Sequence, residues 1–125
     1  MTLLIVEDES KVLHVLATHF EEQGHTVLTS ETGEGALALL AQHHPDAMLL
    51  DLWLKGKLNG VGVLKEFPRL SPKTAVIVIT GLEESPQEEV VQLGAKALLR
   101  KPIRLDELDR LLAQVCQHPF GEQNR

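Results

Sequence analysis

Short apolar segments of strand length alternate with helical patterns along the whole chain. The apolar segments occupy residues 3–6, 26–28, 47–50, 75–79 and 97–99. Between them, apolar residues recur at spacings of three and four, which is the period of an amphipathic helix. Strands and helices that alternate in this way are typical of a parallel sheet covered by helices on both faces. The sequence therefore predicts a doubly wound α/β domain with five strands and five helices.

Caps and prolines predict the bounds of the first three helices. The apolar stripe of the first helix consists of Val12, Val15, Leu16, His19 and Phe20. Gly24 follows it in a position suited to a C-terminal cap. The second helix spans residues 33–42 and ends before Pro45, because the residue preceding a proline is pushed out of helical conformation. The third begins near Asn59 and is expected to end at Pro68.

The last two helices carry similar signals. Ser85 can cap the fourth, Pro86 suits its first turn, and Glu88 completes a capping box. Gly94 marks its far end. The fifth helix has an apolar stripe of Leu105, Leu108, Leu111, Leu112 and Val115. Pro119 is expected to end it.

Size and charge narrow the classes of function. The chain has 125 residues, the size of one domain, which we expect at residues 1–118 with a C-terminal tail at 119–125. Its 12 basic and 18 acidic residues give a formal net charge of −6. A surface that neutralises many nucleic-acid phosphates needs clustered lysine and arginine, so we expect no direct nucleic-acid binding.

The single cysteine and the lack of long apolar segments indicate the cellular compartment of the protein. Cys116 cannot form a disulfide within the chain, which favours a reducing compartment, and we expect it to be a small buried hydrophobe. No segment approaches the ~20 apolar residues of a membrane span. The N-terminal residues have no basic start typical of a secretory signal. We therefore expect a soluble cytoplasmic protein with no membrane association.

Chemically active side chains stand at the ends of four predicted strands. Glu7 and Asp8 follow the first strand, Asp51 the third, Thr80 the fourth and Lys101 the fifth. The C-terminal ends of parallel strands share one edge of a sheet, and open α/β sheets bind their ligands at that edge. We therefore expect three carboxylates, one hydroxyl and one ammonium to converge there.

Three neighbouring carboxylates require a compensating positive charge. Two carboxylates that lie ~4 Å apart repel each other by roughly 4 kcal/mol when the effective dielectric constant is about 20. Oxygen ligands of this kind suit a hard divalent cation such as Mg²⁺. A carboxylate beside such a metal can attack phosphorus and form an acyl phosphate, while a hydroxyl and an ammonium can each bind a phosphoryl oxygen. The set therefore favours magnesium-dependent phosphoryl chemistry.

Taken together, these residues resemble a known family over almost the whole chain. The set Glu7-Asp8, Asp51, Thr80-Gly81 and Lys101-Pro102 is similar to that of the receiver domain of two-component response regulators. The resemblance implies a flavodoxin-like fold with strand order 2-1-3-4-5. It also implies that Asp51 is the phosphoacceptor and that Mg²⁺ is held by Glu7, Asp8, Asp51 and the backbone carbonyl of Trp53. Lys101 would contact the phosphoryl group, Thr80 would be the switch hydroxyl, and the peptide bond before Pro102 would be cis.

The chain departs from the family pattern at three places. Leu98 replaces the usual tyrosine or phenylalanine, which puts the aromatic relay of the family in doubt. The loop 52–60 is one residue longer than the commonest form and has Lys55 where proline is usual, so we expect a looser or differently covered site. Trp53 is bulkier than the usual residue, and its side chain can screen an acyl phosphate from water. Trp53 and the segment 76–81 most resemble receivers of nitrogen-regulation-type activators and hybrid kinases.

The resemblance predicts a phosphorylation-controlled interaction module. Its partners would be a sensor histidine kinase or phosphotransfer protein and an output target or a C-terminal effector domain, and a homodimer is a further expectation. Its chemistry would be limited to phosphorylation and dephosphorylation of Asp51. One alternative is a Mg²⁺-dependent phosphatase with Asp51 as nucleophile, although Trp53 stands where such an enzyme would carry a general acid. Another is a receiver that signals without phosphate, prompted by Leu98.

Overall fold

The computed structural model describes the backbone of residues 1–81 and 87–123, and the side chains of residues 1–81 and 88–116. Five strands form one sheet: β1 Thr2–Val6, β2 Thr26–Ser30, β3 Ala47–Asp51, β4 Ala75–Thr80 and β5 Ala97–Arg100. The helices are α1 Ser10–Glu22, α2 Gly33–His43, α3 Gly60–Leu70, α4 Gln87–Gln92 and α5 Leu105–Gln123. All neighbouring strands are parallel, in the order β2-β1-β3-β4-β5. The predicted fold class and strand order are confirmed.

The central strands are buried on both faces because helices cover the sheet from both sides. Every residue of β3 and β4 is buried, whereas the edge strand β2 is partly exposed. Side chains alternate between the two faces. Leu4 and Val6 of β1 belong to the core under α2, α3 and α4, and Leu3 and Ile5 belong to the core under α1 and α5. Cys116 lies in this second core as a buried free thiol, as expected.

Three sequence predictions about the helices are wrong. In α1 the predicted stripe is wrong at Val15, which is 55% exposed. Leu16 and Phe20 are buried as predicted, together with Leu13, which the stripe omitted. Apolar residues occur on several sides of α1, so the spacing allowed two phases. Helix α3 continues through Pro68 to Leu70. The proline removes one hydrogen bond and crowds the preceding turn, but the N–H of Ser71 still donates to the Phe67 carbonyl in the last turn.

Helix α5 also continues past its proline. Its backbone is helical to Gln123, so the prediction that Pro119 ends the helix is wrong. The division into a domain at 1–118 and a tail at 119–125 stays a prediction. The predicted start of the fourth helix at Ser85 and Pro86 lies outside the described residues.

Other predicted ends are confirmed. Gly24 and Gly94 follow α1 and α4 with φ angles of +95° and +111°, values that favour glycine. The side chain of Asn59 accepts a hydrogen bond from the N–H of Gly62 and caps α3. Among the described helices, none combines the length and apolar character that a membrane crossing demands.

Strand pairing fixes two residues of the predicted site. Asp51 pairs with Ile79 and is the last residue of β3, while Thr80 pairs with Arg100 and is the last residue of β4. Their backbones are therefore held by the sheet. The loops that follow them supply the remaining groups of the site.

Candidate functional site

Three carboxylates meet at the C-terminal edge of the sheet. One oxygen each from Glu7, Asp8 and Asp51 lies within 4.8 Å of the others. The side chains of Glu7 and Asp51 are almost completely buried, and Asp8 is partly exposed. Parallel pairing of β1 with β3 brings these residues together, as the sequence predicted.

Lys101 lies against two of these carboxylates. Its Nζ is 3.2 Å from Oε1 of Glu7 and 3.4 Å from Oδ2 of Asp51. The residue follows β5, and the peptide bond between Lys101 and Pro102 is cis, as predicted. The ammonium therefore approaches the acidic cluster from the β5 side and offsets part of its charge.

The titration of Glu7 and Lys101 reflects this crowding. Burial raises the pKa of Glu7, and the negative charge of Asp51 raises it further, against the opposing effects of the Glu9 N–H and of Lys101. Burial alone would lower the pKa of Lys101, but the charges of Asp51 and Glu7 together outweigh it, so the pKa of Lys101 is raised. Lys101 is thus held in its charged form, and the cluster favours additional positive charge.

Backbone N–H groups orient each carboxylate. The N–H of Glu9 donates to Oε2 of Glu7 over 3.0 Å, and the N–H of Trp53 donates to Oδ1 of Asp51 over 3.1 Å. A third bond of 2.9 Å runs from the N–H of Lys55 to Oδ2 of Asp8. These bonds hold the carboxylates in fixed rotamers around a shared depression.

The depression has a volume of about 410 Å³ and opens to solvent. It is lined by Glu7, Asp8, Glu9, Asp51, Trp53, Lys55, Gly81 and Lys101. The oxygen donors of its floor fit a hard divalent cation such as Mg²⁺, which prefers carboxylate and carbonyl ligands. There is room beside the carboxylates for a phosphoryl group, with Lys101 at its edge.

Lys55 covers the depression in a way that proline could not. Proline has no backbone N–H, so the bond from Lys55 to Asp8 depends on the unusual residue at this position. The longer loop is therefore tied to the acidic cluster at this point. The looser or differently covered site that the sequence suggests stays a prediction.

Trp53 makes a side-chain contact that the sequence analysis missed. Its indole Nε1–H donates a hydrogen bond of 2.9 Å to Oγ1 of Thr80. Thr80 is fully buried, whereas Trp53 is 43% exposed. The adjacent ends of β3 and β4 are the signal that could have indicated this contact, because Asp51 pairs with Ile79 beside Thr80.

Leu98 lies apart from these polar contacts. It pairs with Val78 and packs, partly buried, against the core on the side of α2, α3 and α4. Its side chain has no group that can bind a hydroxyl. The structure thus places an aliphatic residue where the family usually has an aromatic one.

Comparison with known proteins decides the family. Residues 3–113 match the family model of the response regulator receiver domain. The chain belongs to this family. It is a receiver domain of two-component response regulators, as the resemblance implied, and its five-stranded parallel sheet agrees with that assignment.

Individual relatives are similar over nearly the whole receiver domain. The regulatory protein AtoC of Escherichia coli K12 is 34% identical over 116 residues, which cover 92% of this chain and 25% of AtoC. The transcriptional regulatory protein KdpE of Mycobacterium tuberculosis is 33% identical over 117 residues, covering 92% of this chain and 51% of KdpE. The chain thus spans a quarter to a half of these relatives.

A solved structure agrees with the fold. The crystal structure of the receiver domain of NtrX from Brucella abortus superposes with a TM-score of 0.83 at 27% sequence identity. The match covers 93% of this chain and 98% of that domain. The predicted likeness to receivers of nitrogen-regulation-type activators is consistent with this similarity.

Proposed function

We propose that Asp51 accepts a phosphoryl group from a phosphohistidine of a sensor histidine kinase or phosphotransfer protein. The observation that carries the proposal is the position of Asp51 within the acidic cluster. It is buried, its Oδ1 accepts the Trp53 N–H, its Oδ2 faces Lys101, and it shares the cluster with Glu7 and Asp8.

The transfer forms one bond and breaks another. A carboxylate oxygen of Asp51 attacks phosphorus and forms an acyl phosphate, while the bond between phosphorus and the donor's histidine nitrogen breaks. The nitrogen leaves with the electron pair and becomes a neutral imidazole after proton exchange with water. Lys101 pairs with one phosphoryl oxygen, and the Thr80 hydroxyl donates to another. Both groups already lie at this edge of the sheet.

Glu7, Asp8, Asp51 and the backbone carbonyl of Trp53 would hold Mg²⁺ in this site. Bound there, the ion would neutralise the charge that accumulates when a phosphoryl group approaches carboxylates. The closeness of three carboxylates supports a demand for such a cation, because the single ammonium of Lys101 offsets only part of their charge. The fixed rotamers of the carboxylates mean that little ordering is needed on binding.

The modified site would alter the affinity of a protein-interaction surface for an output target. Because the relatives AtoC and KdpE are longer than this chain, a C-terminal effector domain is one form that this target could take. We place the exchange in the cytoplasm and expect no chemistry beyond phosphorylation and dephosphorylation of Asp51. Formation of a homodimer is part of the same proposal.

Intact-protein mass spectrometry tests this function. The protein is incubated with Mg²⁺ and acetyl phosphate beside an Asp51→Asn variant and a sample with excess chelator. We expect a gain of one phosphoryl group in the wild type only. Equal gain by Asp51→Asn would overturn the assignment, and no gain in any sample would favour a receiver that works without phosphate. Continuous release of phosphate from an external phosphoester would instead revive the phosphatase alternative.

A further inference from the structure

We propose that Trp53 is a positioning residue of the phosphorylation switch. Its indole N–H holds the Thr80 hydroxyl in the unphosphorylated site, and modification of Asp51 releases that bond. The inference deepens the proposed function and rests on it.

Trp53 forms hydrogen bonds with both Asp51 and Thr80. Its backbone N–H donates to Oδ1 of Asp51, and its indole N–H donates to Oγ1 of Thr80 over 2.9 Å. Thr80 is fully buried, but Trp53 is 43% exposed. The ring therefore connects a buried hydroxyl to the outer surface of the site.

A phosphoryl group would compete for this hydroxyl. The hydroxyl accepts from the indole through a lone pair and would donate its proton to the phosphoryl group, so the two partners compete through the position of Oγ1, which the χ1 rotamer of Thr80 sets. An acyl phosphate on Asp51 brings anionic oxygens, and a hydrogen bond to an anionic acceptor is stronger than one between neutral groups. When Thr80 turns to donate to such an oxygen, its Oγ1 moves away from the indole. The exposed indole N–H then pairs with water.

We expect the response to a moving Thr80 hydroxyl at Trp53. The aliphatic side chain of Leu98 packs against the core and makes no hydrogen bond to that hydroxyl. The indole N–H of Trp53 is bonded to it directly. Phosphorylation would consequently change the conformation of the loop between β3 and α3, where the exposed indole ring can contact a partner protein.

Binding of beryllofluoride, which coordinates a carboxylate oxygen in the shape of a phosphoryl group, tests the competition. Affinity is measured by calorimetry in saturating Mg²⁺ for the wild type and for Trp53→Phe, which keeps an aromatic ring but lacks the N–H. We expect the variant to bind roughly two- to tenfold more tightly, because one neutral hydrogen bond no longer has to be broken. In a Thr80→Val background, Trp53→Phe should change the affinity by less than about twofold, since the bond is already absent.

Fluorescence gives a second readout, because Trp53 is the only tryptophan. We expect its emission to shift when beryllofluoride saturates the wild type and to stay constant in Asp51→Asn. Unchanged or weaker binding by Trp53→Phe, or an equal gain in the Thr80→Val background, would overturn the role of Trp53 alone. Emission that stays constant in the saturated wild type would do the same. Failure of the wild type to bind beryllofluoride would overturn the proposed function and this inference together.

Discussion

Lys55 and Asp8 are joined by a hydrogen bond of 2.9 Å from the backbone N–H of Lys55 to Oδ2 of Asp8. The bond links the loop after β3 to an acidic residue after β1. It fixes one carboxylate of the cluster without using any side chain of the loop. Lys55 therefore orients Asp8 through its backbone N–H, and the charge of its side chain takes no part in this bond.

Lys55→Pro should weaken the binding of Mg²⁺. The substitution removes the N–H that orients Asp8, and the loss of one hydrogen bond to a charged group is worth about 1.5–3 kcal/mol, or roughly tenfold or more in affinity. Lys55→Ala is the matched control, because it removes the ammonium and keeps the N–H. Calorimetric titration with Mg²⁺ separates the two. If the alanine variant loses as much affinity as the proline variant, the packing of the lysine side chain and not the backbone bond is responsible.

The raised pKa of Glu7 predicts opposite effects of pH with and without metal. Its folded-state pKa lies above the ordinary value of 4.5, chiefly because of burial. Without metal, Glu7 therefore contributes stability that is present below the unfolded pKa and is lost as the pH rises through the folded pKa. With Mg²⁺, protons and metal compete for Glu7, so the stabilisation by Mg²⁺ should fall as the pH is lowered.

Thermal unfolding between about pH 4 and 7, with and without Mg²⁺, measures both effects. Glu7→Gln resembles the protonated form and should make the metal-free profile flatter while reducing the stabilisation by Mg²⁺. An unaltered pH profile in Glu7→Gln would show that another group controls the titration.

Lys101→Met should destabilise the metal-free protein. The substitution keeps the aliphatic stem but removes the ammonium that contacts Glu7 and Asp51, which leaves two buried carboxylates to repel each other. Breaking a fully buried ion pair costs about 3–5 kcal/mol. Because the Lys101 side chain is 30% exposed, we expect a smaller loss of about 1–2 kcal/mol in the free energy of unfolding.

Urea denaturation measures the effect of Lys101→Met, with Lys11→Met as a control at an exposed position. Addition of Mg²⁺ should recover much of the loss, since the ion replaces the missing positive charge. Equal stability of the two variants without metal would contradict this account of Lys101.

Gly60→Ala should disturb the site from the start of α3. A Cβ at this position would lie 2.5 Å from the carbonyl oxygen of Asp51 and 2.6 Å from the Cα of Leu52, so backbone atoms would have to move. We expect a loss of about 1–3 kcal/mol in the free energy of unfolding. Gly62→Ala is the matched control, because its Cβ would meet chiefly the flexible side chain of Leu58. Denaturant unfolding that ranks Gly62→Ala as the more damaging change would refute the argument.

The sequence was sufficient to predict the fold and most of the acidic cluster. Parallel strands place their C-terminal ends at one edge, so residues that follow separate strands had to converge there. Glu7, Asp8, Asp51 and Lys101 do so. This prediction depended on topology alone, and the strand order confirms it.

Individual side-chain contacts and helix ends could not be predicted from the spacing of residues along the chain. The bond between Trp53 and Thr80 requires one side-chain rotamer and one path of the loop after β3. The continuation of α3 through Pro68 shows that the loss of one N–H does not have to end a helix. In α1, apolar residues on several sides left the choice between Val15 and Leu13 to tertiary packing.

The central claim is that Asp51 itself carries the phosphoryl group. Borohydride reduces an acyl phosphate of aspartate to homoserine, so the modified residue can be located by peptide mass spectrometry after treatment with Mg²⁺ and acetyl phosphate. We predict homoserine at position 51 in the wild type and at no position in Asp51→Asn. Homoserine at position 8, or an unmodified Asp51 in protein that has gained a phosphoryl group, would contradict the assignment of this site.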